Sequence, residues 1–114
     1  PILSHGDAAI LKVQHWLQST GATDVSLTSM AERAGLEERT FLRRFRAATG
    51  LKPTEYCQHL RVGKARELLE YSNGTIDHIA WTVGYQDPGA FRAIFKKITG
   101  LTPSDYRARF GVSG

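Results

Sequence analysis

Cysteine is almost missing from this chain: Cys57 is the only one in 114 residues. An intrachain disulfide framework is therefore excluded, and no C-x-x-C pair exists to hold zinc. Long apolar runs are missing too. No stretch approaches the ~18 consecutive apolar residues of a membrane-spanning helix. The N-terminus also lacks a charged-then-apolar secretory pattern. No membrane association is expected, and a cytoplasmic home fits. His5, His15, His59 and His78 show neither H-x-x-x-H nor H-x-H spacing, so no metal site is expected. There is no G-x-S-x-G, no glycine-rich phosphate loop and no spaced set of carboxylates and histidines. The chain is thus expected to be no enzyme and to carry no cofactor. It begins at Pro1 rather than Met, as expected of a domain excised from something longer.

What is present is enough apolar matter for a core, 41% of residues with 10% aromatic, in a length suited to one compact domain or two very small ones. The net charge of +4 permits a nucleic-acid partner without demanding one. An internal repeat says more. Residues 39–56 match residues 89–106 at an offset of 50, with seven identities in 18: Phe41/Phe91, Phe45/Phe95, Thr49/Thr99, Gly50/Gly100, Leu51/Leu101, Pro53/Pro103 and Tyr56/Tyr106. Upstream the offset becomes 49, pairing Leu27/Ile76, Met30/Ile79, Ala31/Ala80 and Gly35/Gly84. Two copies are too few for a solenoid; the pattern is a tandem duplication of one small unit.

No segment alternates apolar and polar residues in the manner of a strand. The reading is all-α, with seven helices. The first spans 7–19, with Ile10, Val13 and Leu17 on one face and Gly21 as its stop. Ser26 caps a second over 27–34 that Gly35 ends, and a third covers 38–48. Pro53 opens a fourth that runs to 71, broken by Ser72-Asn73-Gly74. Thr75 caps a fifth that Gly84 ends; Asp87-Pro88 opens a sixth running to 98; and Thr102-Pro103-Ser104-Asp105 resembles a capping box opening a seventh. Trp16 and Trp81 sit on apolar faces and are expected in the core, as is Cys57.

Each copy holds a helix with alanine four residues before a glycine, then a short turn and a second helix. That is a helix-turn-helix arrangement: the small side chain lets the helices cross closely, and glycine permits a left-handed turn backbone. Gly35 and Gly84 are accordingly structural. On Ala31-x-x-Ala34-Gly35, Phe41-x-x-x-Phe45, Gly50-x-x-Pro53-x-x-Tyr56 and Arg61-x-x-x-Ala65-x-x-Leu68-Leu69, the chain resembles the DNA-binding domain of AraC/XylS transcription regulators. The second half adds Ile79-Ala80-x-x-Val83-Gly84-Tyr85, Phe91-x-x-x-Phe95 and Gly100-Leu101-Thr102-Pro103-x-x-Tyr106-Arg107.

The resemblance implies two helix-turn-helix subdomains, 1–52 and 72–114, joined by a long linker helix, 53–71. It also implies that Arg61 is structural, bridging the subdomains through backbone carbonyls or a carboxylate. The opening residues are similar to the branch whose full-length members carry an N-terminal amidotransferase-like sensing domain. Effector and dimerisation functions are expected on such a separate domain, with RNA polymerase as a candidate partner. Glu37 and Lys52 depart from the usual hydroxyl caps, and Gly63 interrupts the fourth helix at a cost of about 1 kcal/mol.

The charges point the same way. The window 39–52 and its duplicate 89–102 hold Arg39, Arg43, Arg44, Arg46, Lys52, Arg92, Lys96 and Lys97, and no acid. The remainder of the chain carries more acids than bases. A basic run is often only a solvated helix face, but its recurrence at equivalent places of a duplicated motif favours a binding surface. With Phe41 and Phe45 inward, Arg39, Leu42, Arg43 and Arg46 fall on the opposite side. Arg39, Arg43 and Arg92 are the candidates for guanine edges and Leu42 for a thymine methyl. Thr40, Arg46, Lys96 and Lys97 are the candidates for phosphate. At 1.5 Å per residue the fourth helix is roughly 28 Å long, of the order of the ~34 Å between successive major-groove faces. The leading expectation is sequence-specific binding of double-stranded operator or promoter DNA by a bacterial transcription regulator, with two recognition helices in adjacent major grooves. The alternative is a helical protein-interaction module for an acidic partner.

Overall fold

The structure is a computed structural model describing residues 6–112, so His5 and Pro1 lie outside the described residues. Among these residues there are seven helices and no strand: α1 (Ala8–Thr20), α2 (Leu27–Ala34), α3 (Glu38–Thr49), α4 (Pro53–Tyr71), α5 (Ile76–Thr82), α6 (Pro88–Thr99) and α7 (Pro103–Phe110). Their limits are written locally. Ser26 accepts from Ser29 N–H while the Ser29 hydroxyl receives the Ser26 N–H, a full reciprocal cap. Thr75, Asp87 and Thr102 each accept from a first-turn amide of α5, α6 and α7. Gly35 closes α2 with φ +72°, and Gly84 has φ +104°, conformations that an L side chain adopts only under strain.

The two departures from the usual caps have different outcomes. Glu37 makes no capping bond with its side chain at the start of α3. Lys52 cannot cap with its side chain, but Glu55 reaches back to accept its N–H at 3.0 Å. That is the complementary half of the box from the one Thr102 makes with Asp105 N–H at 3.1 Å.

The chain divides inside α4, after Cys57, into two compact units. Unit 1 buries Ile10, Val13 and Leu17 of α1 with Met30 and Ala31 of α2, Phe41 and Phe45 of α3, and Tyr56. Unit 2 buries Val62, Ala65 and Leu69 of α4 with Ile79 and Ala80 of α5, Val83 at the end of α5, Phe91 and Phe95 of α6, and Tyr106. Residue for residue, the α1 stripe and the α4 stripe correspond at an offset of 52. The repeat therefore extends further upstream than Leu27: α1 is to unit 1 what the later turns of α4 are to unit 2.

The aromatic core is copied closely. Phe41 and Phe45 stand 5.5 Å apart, and Tyr56 meets Phe45 edge-on at 5.3 Å. Phe91 and Phe95 stand 5.7 Å apart, and Tyr106 meets Phe95 edge-on at 5.5 Å. The repeated Thr-Gly-Leu ends the recognition helix in both. Thr49 and Thr99 donate to the carbonyls of Phe45 and Phe95 and accept the N–H of Leu51 and Leu101.

One expectation about the core is corrected. Trp81 is 59% exposed. Ile76, Ile79, Ala80 and Val83 form the inward stripe of α5, and Trp81 stands one residue, about 100° of helix turn, away from Ala80. Trp16 is half-buried, with the Arg33 guanidinium 4.7 Å from its ring centroid. Cys57 is buried as expected. Arg107, singled out by no pattern except the resemblance, clamps the end of α4. Its guanidinium donates to the carbonyls of Leu69 (3.2 Å), Gly74 (2.7 Å) and Ser72 (3.0 Å). Those carbonyls lie at and beyond a helix C-terminus, where a cation is favoured.

Candidate nucleic-acid interface

Burial of the two phenylalanines decides what α3 and α6 present outward. Along 41–50 and 91–100 the sequence of buried, half-buried and exposed positions is the same. On α3 the exposed side carries Arg39, Leu42, Arg43, Arg46 and Ala47. On α6 the equivalent places hold Gly89, Arg92, Ala93, Lys96 and Lys97. All four residues expected at base edges are thus outward-facing, and Leu42, 39% exposed, is a large apolar side chain left among arginines. Thr40 is half-buried and its hydroxyl lies 3.4 Å from the Glu37 carboxylate, a long bond to a neighbour one turn back.

The two helices differ in chemistry. Unit 1 offers three guanidinium forks on one face, each able to make paired hydrogen bonds. Unit 2 offers one fork and two ammonium groups, which act as point charges. Arg44 is drawn away from the cationic surface. Its Nε and Nη2 grip both carboxylate oxygens of Asp7 at 3.0 and 2.7 Å, while Asp7 also caps α1 through Ile10 N–H. The Arg44 hydrogen bonds hold the Asp7 carboxyl below the usual carboxylate range, against the opposing effect of burial. Arg61 lies with its guanidinium 5.4 Å from the Tyr85 ring centroid, a cation–π contact within unit 2.

In each unit one side-chain link ties the helix before the turn, α2 or α5, to its recognition helix, and sequence reasoning found neither. In unit 1 the Thr28 hydroxyl donates to Glu38 at 3.1 Å. In unit 2 Arg92 Nη2 donates to Asp77 at 2.7 Å. Thr28 and Asp77 are both the second residue of their helix and correspond at the repeat's offset of 49. That equivalence was the available signal; the partner on the recognition helix was not. The described residues contain no group of three or more histidine, cysteine or acidic side chains able to hold a metal ion. No helix among them is long and apolar enough to cross a membrane.

Residues 30–109 match a family described as a helix-turn-helix domain. The HTH-type transcriptional activator RhaS of Escherichia fergusonii is 36% identical over 101 residues, which is 89% of this chain and 36% of that protein. The chain therefore spans about a third of the length of the curated relatives it matches. Among solved structures, the DNA-binding domain of AdpA, a global transcriptional factor captured with a target DNA, superposes with a TM-score of 0.84. It is 33% identical, over 90% of this chain and 92% of that one. A transcriptional regulator from Chromobacterium violaceum with an AraC-type DNA-binding domain gives a TM-score of 0.85 over 93% of this chain and 95% of that one. Its identity is 23%, and its likeness is one of fold.

Proposed function

We propose that this chain, which belongs to the AraC-type helix-turn-helix family, is the sequence-reading domain of a transcription regulator and binds double-stranded DNA. The observation that carries this reading is a cationic outward face on both copies of the duplicated helix: Arg39, Arg43 and Arg46 on α3, and Arg92, Lys96 and Lys97 on α6, with Arg46 and Lys96 at the same place of the repeat. The AdpA domain, alike in fold and a third identical, was captured on its target DNA, which supports the same role here. This is a binding function rather than an enzymatic one.

Arg39, Arg43 and Arg92 read guanine edges, and Leu42 packs on a thymine methyl. Thr40, Arg46, Lys96 and Lys97 neutralise phosphates. One copy of the chain engages successive major grooves through α3 and α6, because each unit is complete in its own core and its own recognition helix. Gly35 and Gly84 set the turns, and Arg61 serves structure rather than contact with DNA. In the full-length regulator we place effector sensing and dimerisation outside this chain, whose described helices the two units account for. An amidotransferase-like domain is the candidate on the resemblance of the opening residues. The related RhaS proteins are named activators, which supports RNA polymerase as a partner. The place of action is the cytoplasm, where the DNA is.

Selection from a random duplex pool, followed by salt titration on the selected duplex and a scrambled one, tests this. A preference above ~10³ is expected of a specific reader. Equal binding to both duplexes would favour the rival, a module for acidic protein partners. Footprinting should protect about two helical turns per monomer; protection of a single groove segment would contradict the two-groove arrangement. Arg43→Ala should cost ~1–3 kcal/mol on the selected duplex alone. Lys96→Ala should weaken both duplexes alike and lower the slope of log K against log salt by ~0.9. The reverse pattern would exchange their roles.

A further inference from the structure

Arg92 is the only arginine of α6, and among the described residues its one hydrogen bond is to Asp77. Both side chains are about half-exposed, 50% and 52%. A pair so open to solvent contributes little to stability. Asp77 also sits in the first turn of α5, where a carboxylate is favoured by the helix end in any case. Neither fact accounts for the direction of the contact. Asp77 reaches across the turn to the single fork-shaped donor on the outward face of α6 and occupies one nitrogen of it. In unit 1 the equivalent Thr28 likewise reaches across to α3, but to Glu38 and not to a cation.

We propose that Asp77 is a positioning residue for base reading by α6. One nitrogen of the Arg92 guanidinium, Nη2, is held by the carboxylate, and its remaining N–H groups stay available to a guanine O6/N7 edge. A free arginine surrenders much rotamer freedom when a base captures it; one already held surrenders less. The carboxylate also repels phosphate, so Asp77 lowers affinity for every sequence while raising the advantage of the right one. It is a specificity residue that touches the reader rather than the base. This inference rests on the DNA-reading function proposed above.

The test measures dissociation constants on the selected and scrambled duplexes at one fixed salt concentration. The proteins are the 114-residue chain with its native sequence, Asp77→Asn, Arg92→Ala and the double variant. Asp77→Asn should bind the scrambled duplex more tightly, by roughly threefold for one removed negative charge. Its ratio of selected to scrambled affinity should fall by about tenfold, the lower range for a weakened base contact. In the Arg92→Ala background the same substitution should still tighten scrambled binding and leave the ratio unchanged. A ratio untouched by Asp77→Asn, or one that falls as much without Arg92 as with it, overturns the positioning role. If the native chain itself shows no preference for the selected duplex, the DNA-reading function fails first, and that outcome is separately visible.

Discussion

Tyr56 and Tyr106 occupy equivalent places in the two units, each edge-on to a buried phenylalanine, but their hydroxyls meet different chemistry. In unit 1 the Tyr56 hydroxyl accepts from the amides of Gln14 and Gln18 on α1, both at 3.4 Å. In unit 2 the Tyr106 hydroxyl accepts from Arg66 Nε at 3.1 Å and donates to the Glu70 carboxylate. Gln14 corresponds to Arg66, and Gln18 to Glu70, at the same offset of 52 that relates the apolar stripes of α1 and α4. One packing plan therefore tolerates either a neutral amide pair or an ion-flanked phenol at its polar corner. The apolar neighbours fix position; the polar partners are exchangeable if every donor finds an acceptor. The same contrast recurs at α7, where Arg107 clamps carbonyls and its counterpart in the repeat is the buried Cys57.

The equivalence of the aromatic cores is broken most forcefully at its centre. Phe45→Ala and Phe95→Ala should each destabilise by about 3–5 kcal/mol, the usual range for emptying a buried phenylalanine site. Chemical denaturation with amide exchange should show loss of protection concentrated in the altered unit. Equal loss across both would mean that the chain unfolds as one block.

The polar corner should separate the units. Tyr106→Phe strands a carboxylate and a guanidinium that share the hydroxyl and should cost about 1–3 kcal/mol. Tyr56→Phe removes only long bonds from neutral amides and should cost about 0.5–1.5 kcal/mol. Equal costs in denaturation curves would mean that the charged partners rearrange freely into solvent.

A smaller effect of opposite sign is expected where α4 departs from α1. Gly63 stands where α1 has Leu11, and a Cβ added there meets nothing within 4 Å. Gly63→Ala should stabilise by about 1 kcal/mol, the difference in helix propensity. Thermal melting that showed no gain would mean that the glycine is already compensated in α4.

The smallest contrast is in pH dependence. Asp7 is held below the ordinary aspartate value of about 3.9 by Arg44. Its contribution is therefore present above that pH and is lost as pH falls through the lowered value. Tyr106 is pushed above the ordinary phenol value of about 10, chiefly by burial. Its neutral form therefore supports unit 2 below that pH, and support is lost as pH rises through the raised value. Exchange protection should fail first in unit 1 on the acid side and first in unit 2 on the alkaline side. Asp7→Asn should flatten the acid limb alone.

Helix limits were legible in the sequence because capping is local chemistry. Ser26, Thr75, Asp87 and Thr102 act on amides two or three residues away, and Gly35 and Gly84 act through their own φ. The duplicated phenylalanines likewise fixed which side of α3 and α6 faces outward, since helical periodicity alone separates Phe41 and Phe45 from Arg39, Leu42 and Arg43. Tertiary structure decided matters of partnership between residues far apart in the chain. It drew Arg44 to Asp7 and Arg92 to Asp77, and it left Trp81 outside the core although its helix is mostly apolar. It also matched α1 to the later turns of α4, a correspondence carried by Ile10/Val62, Val13/Ala65 and Leu17/Leu69, of which only the last is an identity. Burial in a packed interior selects for shape and apolarity rather than for a particular residue. Such a repeat is faint to letter matching and plain once the side chains meet.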